Sequence, residues 1–432
     1  MLLPSLPGAS GAHTPAQLIR ARIAVYLVFL ANGLGVANLV PRYPEIVAHL
    51  DLSKASFGQA VAATSVGALM AGLAAPRLIS RFTSARVASL GMVVVAAALA
   101  GAAYAQSWLW LALCLLLMGG TDAVVDVGQN AHGLRIQRHW GSSIVTSFHA
   151  AWSLGAVLGA AMGQAAAGAG IPPGHHMLMT AVVLALLSAG PLVLGWFLPG
   201  DDDADRPQAP AELLAEESAE DPAERTSQAP VQTTAHAPAE GGTRAPRRVS
   251  VLTVGVLVVV SLLCAAAMFP EDVGHNWSSL LLAGQGAAAG QVGLGIVAIQ
   301  GTMIVGRLVG DRVVDALGAR AVIAWGGVLV VAGMGLALVM SSVPGTLIGM
   351  AISGVGCAVA VPVTYSAGDD IPGLAPGQGL TIVSWLARAA GLIMPPVVGW
   401  LSDSHGLWVA LAYGLIGGLV LATCWPVLRR RG

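Results

Sequence analysis

Between residues 19 and 428 the chain passes through about twelve apolar stretches, broken once near the middle by a long polar segment. At 1.5 Å per residue, ~20 apolar residues carry a helix across a ~30 Å hydrocarbon core. Lipid offers no hydrogen bonds, so a spanning backbone must satisfy itself as α-helix or closed barrel. The short alternating strands of a barrel are not visible. The expected fold is therefore an all-α integral membrane protein of about twelve transmembrane helices in two similar halves. We place the spans near 22–40, 58–78, 87–105, 108–130, 144–167 and 177–198, then near 251–269, 284–309, 321–341, 344–365, 381–400 and 408–428. Composition agrees, with 56% hydrophobic and 10% charged residues, where a soluble domain carries roughly 25% charge.

Basic residues give the orientation. With the N-terminus inside, all but Arg42, Lys54 and Arg388 of the 21 Lys and Arg fall on inner loops and tails. The positive-inside rule then puts both termini and the central segment in the cytoplasm of a multi-pass plasma (inner) membrane protein. Residues 201–250 hold eleven acidic residues against five Arg, among much Ala, Pro, Ser and Thr. Such a segment buries too little apolar surface to offset its ordering entropy, so a disordered tether is expected. The resulting domains are a cytoplasmic tail at 1–18, a six-helix bundle at 19–199, an acidic linker at 200–250, a second bundle at 251–428 and a basic tail at 429–432. Cys114, Cys264, Cys357 and Cys424 all fall inside apolar spans and read as small packing residues. Neither a disulfide framework nor a metal or cofactor is expected. The first span lacks a basic region before a short apolar core, so it reads as an anchor and not a cleavable signal.

The halves resemble each other at two places. Ser80-Arg81-Phe82-Thr83-Ser84-Ala85-Arg86-Val87 follows the second span, and Asp315-Ala316-Leu317-Gly318-Ala319-Arg320-Ala321-Val322 follows the eighth. Nearly the same offset aligns His149–Gly155 of the fifth span with Trp385–Gly391 of the eleventh. A duplicated six-helix unit is how many secondary transporters are built, with the substrate site between the halves.

With the Gly306-Arg307-Leu308-Val309-Gly310-Asp311-Arg312 segment after the eighth span, this pattern resembles the major facilitator superfamily over nearly the whole chain. Asp126-Val127-Gly128-Gln129-Asn130-Ala131-His132-Gly133, the segment from Ser147 to Gly155 with His149 and Trp152, and Pro270-Glu271 followed by Asn276-Trp277-Ser278 are similar to the YbjJ-like branch, distantly related to fucose permeases. The resemblance implies a gating role for the inner-loop residues Arg77, Arg81, Arg307, Asp311, Arg312 and Asp315. In the first half Ser80 stands where the superfamily has an acidic residue and Thr83 where it has glycine, whereas the second half keeps Asp315 and Gly318.

Ionisable groups within spans cost ~2.5–3.5 kcal/mol each on insertion scales, so each is a functional candidate. Asp122 and Asp126 lie four residues apart on the fourth helix, with Asn130 one turn further on the same face. Two such carboxylates favour holding a proton between them, which is what a coupling site needs. Asp126 could instead be a structural acceptor for His149 or Trp152. Glu271, beside Asp272 and His275, is expected where the seventh helix meets the outer interface, as a proton entry point or outer gate, with Trp277 in the interfacial belt. Arg388 keeps its proton and needs a carboxylate, an anionic substrate or cavity water. Trp385, one turn away, could stack on a flat solute. The remaining substrate-site candidates are Asn130, His149, Trp152, Asn276 and Trp277, with Asn32, Asn38, Gln59 and Gln300 weaker because one amide in a helix often just bonds a neighbour. His132 and Trp140 are assigned to the inner loop and interface. Gly155, Gly159 and Gly163 invite close helix approach, and Pro395 and Pro396 a kink.

No Walker A sequence, Ser/His/Asp arrangement or CxxC is present, which argues against an ATP-driven pump or an enzyme. The expected function is secondary active transport of a small polar organic solute, sugar-like or a related metabolite, by alternating access and coupled to protons. The expected partners are that solute, protons and lipid, without nucleic acid, and the chain is expected to be a monomer. A multidrug/proton antiporter is the alternative among transporters, and a non-transporting sensor or scaffold the alternative of another class.

Overall fold

The computed structural model describes residues 13–140, 144–199, 251–369, 371, 374 and 378–428. The linker expected at 200–250, the basic tail at 429–432 and most of the tail at 1–18 lie outside these residues. The first half comprises α1 (Pro15–Leu39), a 3₁₀ turn (Val40–Arg42), α2 (Tyr43–His49), α3 (Lys54–Gly72), α4 (Ala75–Phe82), α5 (Ser84–Ala103), α6 (Trp108–Trp140), α7 (Val145–Gly168) and α8 (Pro173–Val193). The second comprises α9 (Val251–Asp272), a π turn (Val273–Trp277), α10 (Ser278–Gly284), α11 (Leu294–Met340), α12 (Val343–Cys357), α13 (Ala360–Asp369), α14 (Gln378–His405) and α15 (Trp408–Cys424). Among the described residues, 11 helices are long and apolar enough to cross a membrane, or 12 when the bent pair α3 and α4 counts as one span.

Several boundaries depart from the sequence reading, each for a local reason. The tail expected to reach residue 18 is shorter, because Thr14 caps α1: its backbone N–H donates to Gln17 Oε1 at 2.8 Å and its Oγ1 accepts from the Gln17 N–H at 3.3 Å. The second span bends by 57° between α3 and α4, where Pro76 at the start of α4 has no N–H to continue a helix. α6 continues to Trp140, ten residues past its expected end, so His132 is buried on a helix instead of lying in a loop. The seventh span runs through Pro270 and the π turn to Gly284 instead of stopping at Phe269. Proline signals a stop in a soluble helix, but transmembrane helices tolerate it. The eighth span starts at Leu294, because Gly286 at φ 84° and a 3₁₀ turn at Ala289–Gln291 occupy the stretch before it.

The duplication is visible in the backbone. α11 breaks at Gly318, with φ 80° and ψ 151°, and Thr83 between α4 and α5 has φ 72° and ψ 151°. The shared conformation suits glycine alone, and a β-branched residue there costs of order 1–3 kcal/mol. Thr83→Gly should therefore stabilise the protein by about 1 kcal/mol after the extra chain entropy of glycine is charged. An unchanged or lowered unfolding temperature would show that Thr83 carries no such strain.

The halves pack most closely at one end. There the Lys54 and Ala55 N–H groups donate to the two Asp403 carboxylate oxygens at 2.8 and 2.9 Å, and Phe57 packs edge-on against Trp277 with centroids 5.8 Å apart. A Cβ at Gly58 would strike the Pro395 carbonyl oxygen, and one at Gly399 the Lys54 carbonyl oxygen. Gly293 is also close to the other half, since a Cβ there would lie 2.9 Å from Pro41 and 3.0 Å from the Ala160 carbonyl. Contact loosens toward the other end: a Cβ at Gly391 would have Ser65 Oγ at 3.6 Å as its neighbour. Beyond it Arg307 Nη1 of the second half donates to Ser153 Oγ of the first at 3.3 Å, and Trp385, Arg388 and His149 lie exposed. A cleft thus opens between the bundles at the end that carries Thr83 and Gly318.

Candidate functional site

Close helix packing builds the first wall of the cleft. Gly155, Gly159 and Gly163 set α7 directly on the backbone of α1 at Leu30, Leu34 and Asn38, and Gly33 faces the Trp152 carbonyl in return. At this separation the Trp152 indole N–H donates to Asn32 Oδ1 at 2.7 Å, and Asn32 Nδ2 donates to Asp122 Oδ1 at 2.7 Å. An indole can only donate and an ionised carboxylate can only accept, so the amide orientation is fixed from both sides. Trp152 is thus engaged with Asn32, not with Asp126. Asp126 accepts instead from Gln129 at 3.2 Å and Asn130 at 3.0 Å on its own helix.

The second wall is centred on Arg307. Its Nη1 donates to Ser153 Oγ of α7 at 3.3 Å, its Nε to the Ala358 carbonyl at 3.3 Å, and its Nη2 lies 3.9 Å from Glu271 Oε2. Glu271 Oε1 accepts from Gln300 Nε2 at 2.8 Å, with His275 Nε2 3.4 Å from the same amide. Two expectations are corrected here. Arg307 is a cleft residue and not part of the inner turn, because α11 continues past it to the break at Gly318, eleven residues on. Glu271 lies inside a continuous span and not at its outer end, because the π turn carries the helix on, a device common at functional sites.

Across the cleft, Arg388 and Asp126 both act electrostatically on Asp122 and on Tyr365, while Asp126 and Arg307 act on His149. These groups therefore surround one space. Other candidates sit elsewhere. Asn38 is fully buried in the α1–α7 contact, and Asn276 donates to Asp272 at 2.5 Å. Trp277 is wholly buried against Phe57, so it seals the closed end instead of standing in an interfacial belt. Gln59 is exposed, Trp140 lies beneath the Arg22 guanidinium at 4.6 Å, and His132 is 2.9 Å from Ser84 Oγ. Arg77, Arg81, Arg312 and Asp315 are exposed on helices flanking the two equivalent turns, and the Asp311 side chain lies outside the described residues. Asp315 also lines a separate cavity of about 1000 Å³ with Val256, Trp325 and Trp425; its guanidinium, Arg320, is already used on backbone carbonyls. Ser153, Tyr365 and Asp403 were not singled out from sequence. Asp403 was the most legible of them, as an acidic residue ending an apolar span.

The pattern that defines the major facilitator superfamily matches residues 25–290, well over half of the chain. The chain belongs to the major facilitator superfamily. It is accordingly a secondary transporter of that family and not an enzyme. An uncharacterised transporter of Sinorhizobium fredii, y4wD, is 26% identical over 404 residues, covering 93% of this chain and 96% of that one. Among solved structures, a D-xylose-proton symporter superposes with a TM-score of 0.68 at 15% identity, covering 94% of this chain and 98% of its own. The nucleoside transporter NupG does so with a TM-score of 0.65 at 14% identity, covering 96% and 100%. At such identities these two report the fold.

Proposed function

We propose that this superfamily member moves a small polar organic solute across the plasma membrane by alternating access, driven by a proton carried on Asp122. The observation that supports it is the Trp152–Asn32–Asp122 chain at the cleft. Asp122 is held by a neutral amide, so it can take up a proton without stranding a buried cation. Glu271 cannot do so freely, because its protonation leaves Arg307 without its counter-ion. Asp126 is the second candidate, since it too is held by neutral amides. Orientation follows from the basic residues: the open end of the cleft faces the cytoplasm, and the closed end faces outward. The solute class we propose is sugar-like or a related metabolite, which a transport panel tests directly. Proteoliposomes given an inward proton gradient should accumulate a member of a panel of sugars, sugar acids, amino acids and nucleosides, and a protonophore should abolish the accumulation. Accumulation that ignores the proton gradient and follows a sodium gradient would overturn the coupling.

A further inference from the structure

The two guanidinium groups of the second half that reach the cleft differ in how they are compensated. Arg307 has Ser153, Ala358 and Glu271. Arg388 has no hydrogen bond or ion pair to any described residue. The carboxylates facing it are all engaged: Asp122 by Asn32 at 2.7 Å, Asp126 by Gln129 and Asn130, and Glu271 by Gln300 and Arg307. Asp122 and Asp126 are held by neutral amides and keep their charge, and Glu271 is paired with Arg307, so among the described residues Arg388 is the cleft guanidinium that no carboxylate or hydrogen-bond acceptor contacts. An arginine inside a span is costly to insert and is retained where something compensates it.

We propose that Arg388 docks a carboxylate on the transported solute, so that the substrate is a small organic monoanion. This rests on the transporter reading above. On α14, Gly399, Pro395 and Gly391 face α3 of the other half, and Arg388 follows on the same face just where the halves part. A solute entering the cleft reaches it there, and closure of the halves would cover it. The planar fork of guanidinium matches a carboxylate with two parallel N–H bonds. A phosphate dianion would leave one negative charge unmatched, since Arg307 is already committed. Trp385, 45% exposed one turn nearer the open end, offers a flat apolar face to the body of the solute. Asp122 and Asp126 on the opposite wall repel the anionic end and orient it toward α14.

The test uses matched pairs on the full-length protein in lipid nanodiscs: glucose with glucuronate, galactose with galacturonate, and glucitol with gluconate, each scored by its shift of the unfolding temperature. At least one acid should bind while its neutral twin does not, and Arg388→Gln should weaken that acid by ~10-fold or more, with Arg388→Lys between. Circular dichroism confirms that each variant remains helical. Equal binding of acid and neutral twin, undiminished acid binding by Arg388→Gln, or silence of every acid at millimolar concentration overturns the inference. Uptake of a neutral sugar by Arg388→Gln proteoliposomes would sink the anion and leave transport standing. An acid that binds through Arg388 yet is never taken up would leave the docking site and sink transport.

Discussion

Asp122→Asn should reduce solute accumulation driven by a proton gradient to the level of protein-free liposomes, while exchange of labelled for unlabelled solute across the same membrane persists. The substitution is nearly isosteric, and Asn32 Nδ2, 2.7 Å from Asp122 Oδ1, keeps an oxygen to donate to. The Trp152–Asn32 bond therefore survives, and with it the packing of α1 on α7. What is lost is the group proposed to bind and release the transported proton. Exchange needs only that the loaded bundles rock, so it is spared. Equal loss of accumulation and exchange would mean that Asp122 holds the fold or the solute instead of the proton. Accumulation equal to the parent would move the proton to Asp126 or Glu271.

The second large effect concerns the seal between the halves. Gly58 and Gly399 lie against the backbone at Pro395 and Lys54 across the closed end, where no side chain has room. Gly58→Val or Gly399→Val forces that end apart, and overpacking of this kind costs roughly 1–3 kcal/mol. A penalty confined to one state lowers its population about 10- to 100-fold relative to the other. Transport should fall by a similar factor, with the protein still folded. Gly155→Val is the control: its neighbour is the Leu30 carbonyl within the first bundle, so it should reduce the unfolding temperature in either state. Normal transport by Gly58→Val would mean that the closed end need not close.

How much of this was legible before the fold was known follows from what lipid makes rare. Asp122 and Arg388 stood out because an ionisable group in an apolar helix is costly, Trp152 because its segment resembles the YbjJ-like branch, and Asn32 only as a weaker candidate. Their pairings were not legible. Asn32 lies 90 residues from Asp122 and 120 from Trp152, and no local pattern joins positions so far apart. Glu271 was assigned to a helix end because the apolar stretch was taken to close at Phe269, and only the π turn shows the helix continuing. Arg307 was drawn into the inner turn by the resemblance of residues 306–312 to the superfamily's inner-loop segment, although the true break is at Gly318, eleven residues on. The glycine ladder of α7 was read correctly as a close-approach face, since glycines four apart on one helix face need no partner sequence to announce them. Thr83 was noticed as a departure from glycine, yet its left-handed backbone is a fact of the fold alone.

Alternating access around this cleft makes a reciprocal demand on the two ends, and the most direct test is a pair of distances. Spin labels at Asp51 and Ser404 report the closed end, and labels at Arg81 and Asp315 report the open end; all four positions are exposed, and the four native cysteines are first replaced by Ala or Ser. Under changes of pH and solute that drive turnover, the 51–404 distance should lengthen as the 81–315 distance shortens, with two populations exchanging at each end. Distances that stay fixed at both ends, or that lengthen together, would contradict alternating access by this chain.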